Sequence, residues 1–148
     1  MAARLTIAAP ARAVLAVACA ALLAVALGGC AKSVSTGSFK GEEREVAQAV
    51  ANLQSHVTAG EEHKICSNDL AGAVVARLNA APGGCKRAIK DQLAEIDSSD
   101  VRVDSVALSG GAQRTATAKV RSIVSGKTRA ATVTLSKEGT RWKIAAVS

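Results

Sequence analysis

The stretch "RAATVTLSKEGTRWKIAAV", Arg129 to Val147, has the pattern of two paired strands. Its two β-branched segments, Arg129–Leu135 and Arg141–Val147, flank Glu138-Gly139, a separation that suits a hairpin. In the second segment Trp142, Ile144 and Ala146 alternate onto one face, and Arg141 and Lys143 onto the other. A strand with one apolar and one charged face packs one side on a core and leaves the other to water.

Two more segments of this kind precede it, "VRVDSVAL" (Val101–Leu108) and "TATAKVRSIV" (Thr115–Val124). Gly110-Gly111 and Ser125-Gly126 supply the turns. In the first segment Val101 and Val103 keep one phase while Val106 and Leu108 keep the other, so a bulge near Ser105 is expected.

The chain before Val101 has the helical period instead. Val46, Val50, Leu53 and Val57 share one face, behind Glu42, Glu43 and Glu45 at the positive end of the helix dipole, and Gly60 supplies a stop. A short second helix is expected near Glu61–Cys66. Ser67 could cap a third, carrying Leu70, Val74 and Leu78 and broken by Ala81-Pro82-Gly83-Gly84. Cys85, Ile89, Leu93 and Ile96 line a fourth. Helices followed by an antiparallel meander predict an α+β domain.

This order, with "GTRWKIAAV" (Gly139–Val147) at its close and a cysteine pair in the helical half, resembles the nuclear transport factor two-like, or cystatin-like, cone fold. Small lipoproteins of high-GC actinobacteria look like this. The resemblance implies N-terminal helices packed on a curved four-stranded antiparallel sheet over 41–148, with a cavity at the open end of the cone. The resembling isomerases and cyclases use a pocket aspartate or histidine as base, and some a tyrosine as donor. This chain has no tyrosine. His56 falls on the flank of the first helix, His63 lies in the charged run "EEHK", and Asp104 suits an outward partner for Arg102 or Arg121 better than a pocket base.

The N-terminus carries an address. Arg4 and Arg12 precede an apolar run, Ala13 to Leu27, which is shorter than the roughly 20 residues a spanning helix needs. Leu27-Gly28-Gly29-Cys30 resembles the lipobox of bacterial lipoproteins. The resemblance implies cleavage between Gly29 and Cys30, removal of residues 1–29 and a diacylglyceryl group on Cys30. Two or more acyl chains hold a protein on a bilayer where one holds it marginally. Residues 30–40 then form the lipidated cysteine and a tether, with a reach of about 17 Å for ten flexible residues. The expected location is extracytoplasmic, anchored to the cell membrane by lipid.

Cys19 lies within the removed segment, which leaves Cys66 and Cys85 as an even pair in an oxidising compartment, expected to form a disulfide. A zinc site from His56, His63, Cys66 and Cys85 competes, as do two free thiols, but the spacing matches no zinc motif.

The net charge is +7, and the excess lies late in the chain. After Asp100 nine bases (Arg102, Arg114, Lys119, Arg121, Lys127, Arg129, Lys137, Arg141, Lys143) face only Asp104 and Glu138. Lys119, Arg121, Arg141 and Lys143 are candidates for contact with anionic headgroups or wall polymers, against the plainer reading of a solvated face that deters aggregation. Nucleic acid is disfavoured, because Phe39 and Trp142 are the only aromatics available for stacking. No nucleophile elbow, phosphate loop or metalloprotease motif occurs. The expectation is a non-catalytic, membrane-anchored module without cofactor or metal, holding a small apolar ligand or an envelope protein. The alternative is a cone-fold enzyme of isomerase or cyclase type with an unrecognised site.

Overall fold

The structure, a computed structural model, describes residues 36–95, 100–111, 114–124 and 127–148. The signal-like segment, Gly29, Cys30, Ile96 and the Ser125-Gly126 turn lie outside the described residues. Among the described residues no helix is long and apolar enough to cross a membrane.

Helix α1 runs Gly41–Ala59. It buries Val46, Ala47 and Val50, the centre of the predicted stripe. Gly60 ends it at φ 65°, where its N–H reaches back to the His56 and Val57 carbonyls, a left-handed cap that glycine adopts without steric cost. Helix α2, Glu62–Lys64, widens into a π-helical turn, Ile65–Asp69.

The third helix departs from the sequence reading. Ser67 does not cap it; the Ser67 hydroxyl donates to the His63 carbonyl at 2.8 Å inside the π turn. Leu70 is extended and forms a parallel bridge with Ile144, and the Ala71 N–H donates to the Ile144 carbonyl at 2.8 Å. Helix α3 therefore begins at Gly72 and ends at Asn79. With no side-chain cap from Ala71, its first N–H donates to Glu138 Oε1 at 2.9 Å, a carboxylate brought from the far end of the chain to the positive end of the dipole. Helix α4 spans Gly84–Leu93 and buries Cys85 and Ile89.

The strands β1 (Asp100–Ser109), β2 (Thr115–Val124), β3 (Lys127–Glu138) and β4 (Arg141–Val147) form one antiparallel sheet in the order β1-β2-β3-β4. The register against β2 skips between Val103 and Ser105, so Asp104 is the extra residue and the predicted bulge is present. Beyond it Val106 pairs with Ala118 and Leu108 with Ala116, in phase with the buried face. A second bulge was not anticipated. Thr134 pairs with Ala146 and Leu135 with Ile144, which leaves Ala145 over. It reverses the phase at the end of β4, so Ala146 is exposed instead of following Trp142 and Ile144 inward.

The helices pack on one face of this sheet, the α+β cone arrangement expected from the sequence. Ile65, Val46 and Leu135 are fully buried at the centre, beside Ala118, Val133, Trp142 and Ile144. Burying a side chain of the valine–leucine class contributes about 1.5–3 kcal/mol. Phe39, assigned to the tether by sequence, packs against this core.

Candidate functional site

Cys66 and Cys85 are bonded, with S–S 2.01 Å. The bond ties the π turn to the first turn of α4. Oxidised sulfurs cannot serve as thiolate ligands, and among the described residues no cluster of histidine, cysteine and carboxylate could hold a metal. His63 is exposed.

The four candidate surface bases stand in different surroundings. Arg121 is held by Asp104 through two bonds, Nε to Oδ2 at 2.6 Å and Nη2 to Oδ1 at 2.7 Å. That guanidinium keeps the Asp104 carboxyl below the usual aspartate range. Asp104 is thus an outward ion-pair partner and no pocket base. Lys143 donates to the Ser67 carbonyl at 3.2 Å and lies 3.9 Å from Glu138. Lys119 stays on the exposed face of β2. Arg141 alone enters a cavity.

That cavity is an open groove of about 640 Å³ where α1, the π turn and the β3–β4 hairpin meet. Its size suits a small ligand. From α1 come Arg44, Gln48, Asn52 and His56, a ladder with a spacing of four. The π turn adds Asn68 and Asp69, and the hairpin adds Arg141 and Trp142. Most of the lining side chains are polar, though polar and apolar atoms share the lining surface almost equally.

His56 and Asp69 form the groove's central pair, Nδ1 to Oδ2 at 2.6 Å. Asp69 is 6% exposed. Burial raises its carboxyl above the ordinary aspartate value, against the pull of the His56 hydrogen bond and of Lys143. On the other side of the ring, His56 Nε2 lies 3.9 Å from Glu61 Oε2. The Asp69 bond fixes the ring through Nδ1, and Nε2 is left facing Glu61. Asp69 escaped the sequence reading, which assigned its surroundings to a regular helix; the π turn swings its side chain back under α1.

A second network fastens the mouth. Lys137 Nζ donates to Glu42 Oε1 at 2.7 Å and Glu45 Oε2 at 3.3 Å, and Arg114 also binds Glu42. The bond from Lys137, aided by Arg114, holds the Glu42 carboxyl low. The same ammonium stands 5.5 Å from the centre of the Trp142 ring, a cation–π distance. The Trp142 indole N–H is buried and has no acceptor among the described residues.

No family model and no curated protein matches the sequence. Among solved structures, the chain is similar to a substituted protein labelled Rd1NTF2_05, with 14% identity, TM-score 0.46, and 70% of this chain and 96% of that one covered. It is also similar to a Streptomyces avermitilis protein described as a candidate dehydratase of the NTF2-like family, with 17% identity, TM-score 0.48, and 72% and 92% covered.

Proposed function

We propose that the protein is an extracytoplasmic lipoprotein, held on the membrane by lipid at Cys30, whose α+β domain binds a small polar ligand in the groove between α1 and the β3–β4 hairpin. The groove carries the binding reading: about 640 Å³ of open volume, lined by polar side chains from three separate elements, adjoins an otherwise close-packed core. The address rests on Leu27-Gly28-Gly29-Cys30 behind a short apolar run. An envelope protein is the other partner of this kind, reached by the same groove.

Two experiments test these halves. Cys30→Ser abolishes lipid labelling and releases the protein from membranes washed with high salt and carbonate; a variant that stays bound rules out the lipid anchor. For the groove, full chain immobilised in dodecyl maltoside is exposed to an envelope extract, and molecules eluted by denaturation are identified by mass. Wild type retains a small molecule and Asn52→Trp, which fills the groove, does not. Equal recovery from both removes the groove as the binding site.

One observation favours a second reading, a cone-fold enzyme. A buried carboxylate 2.6 Å from a histidine in a groove is the geometry of a general base, with Asp69 orienting the ring and Nε2 taking or giving the proton. On this reading His56→Gln retains the captured molecule but no longer converts it. Conversion that persists in His56→Gln excludes the pair as the base.

A further inference from the structure

The charges that line the groove are unequally satisfied. Glu45 accepts from Lys137 at 3.3 Å, and Asp69 is taken by His56 at 2.6 Å. Arg44 and Arg141 line the same groove, one from α1 and one from β4, and neither guanidinium has a hydrogen-bond or ion-pair partner among the described residues. Every other carboxylate near the mouth is already claimed: Glu42 is held by Lys137 and Arg114. What remains unpaired are the two guanidiniums. Gly41, also in the lining, begins the 19-residue α1, and Lys40 before it offers no side-chain acceptor to the first-turn N–H groups. The positive end of that helix therefore opens on the same space.

We infer that the groove recognises an oxyanion, with Arg44 from α1 and Arg141 from β4 gripping a carboxylate or phosphate group of a small ligand. The inference rests on the groove being the binding site and names the ligand's chemistry. Guanidinium forks match both oxyanions in bidentate geometry. The Gln48 amide donates to Asn52 at 3.0 Å, and the Gln48 carbonyl and the Asn68 amide are left for the uncharged part of the ligand.

The test is an amide-resolved NMR titration of the full chain in uncharged dodecyl maltoside micelles. Inorganic phosphate and acetate are the probes, with chloride holding ionic strength constant. The expected result is saturable shifts confined to residues around Arg44, Gln48 and Arg141. Arg44→Gln and Arg141→Gln each weaken binding about tenfold, the scale of one charged hydrogen-bond pair. Both positions are exposed, and a dispersed spectrum shows that each variant is folded. Vesicles of phosphatidylglycerol form a further arm: shifts with vesicles and none with phosphate or acetate assign the oxyanion to a lipid headgroup. No saturable shift with any probe, or shifts that survive the double variant, overturns the assignment. If the envelope extract still yields an uncharged molecule from wild type and not from Asn52→Trp, the groove stands and only its charge preference falls. If nothing is captured, both fall.

Discussion

His56 Nδ1 and Asp69 Oδ2 lie 2.6 Å apart, joined across thirteen residues by a π turn that folds back beneath α1. The turn closes the inner end of the groove and leaves a carboxyl almost without solvent. One hydrogen bond thus fixes the groove's shape and its only buried acid among the described residues.

That acid makes stability depend on pH in a defined direction. Burial lifts the folded Asp69 carboxyl above its ordinary value of 3.8, so the folded state binds this proton more tightly than the unfolded state does. The contribution is fully present below the unfolded value and is lost as pH rises through the folded one. Asp69→Asn removes the titration and keeps an acceptor for His56. Urea midpoints of the two proteins across pH should diverge, with wild type losing ground as pH climbs from about 3.8 through that window. Wild type gaining ground over the same range would mean that His56, not burial, sets the ionisation.

The disulfide closes a loop with a sequence separation of 19 between Cys66 and Cys85. Chain entropy assigns about 3 kcal/mol to such a loop. Cys66→Ala with Cys85→Ala should lower the unfolding free energy by about that amount, measured by urea denaturation without reductant. A loss below about 1 kcal/mol would show that the unfolded chain is already restricted there.

Gly83 has φ +84°, and a Cβ built on it would stand 2.7 Å from Arg87 Cβ. Gly83→Ala therefore meets both an unfavourable backbone region and a clash at the start of α4. The backbone term alone costs about 1–2 kcal/mol. Thermal unfolding should report at least that loss, whereas Gly110→Ala, with nothing within 4 Å, should be nearly silent.

Leu135, in the second half of β3, is 0% exposed. Leu135→Ala should cost about 2–5 kcal/mol by urea denaturation, the range for a large-to-small change in a packed core. A smaller cost would mean that Ile65 and Trp142 collapse into the space.

The sheet was legible because its signals are local. Turn glycines bound each strand, and the phase flip between Val103 and Val106 exposed the bulge at Asp104. The bulge at Ala145 left no such mark, since Ala145 and Ala146 are the same residue type and give neither phase a polarity. The first helix was legible from its valine and leucine spacing. The π turn was not, because Leu70, Val74 and Leu78 recur at a regular helical spacing that extends the third helix back through Leu70, where the chain is in fact extended. The groove was half visible: Arg44, Gln48, Asn52 and His56 already form a ladder in the sequence. Its other walls, Asp69 and Arg141, come from distant chain, and only the fold brings them to that ladder.

The measurement that bears most directly on the groove as a ligand site is a native mass spectrum of the full chain, isolated from its own host's envelope in dodecyl maltoside. The wild-type protein should carry a discrete extra mass that leaves on denaturation, and Asn52→Trp should lack it. Identical masses for the two proteins before and after denaturation, apart from the substitution itself, would contradict the account.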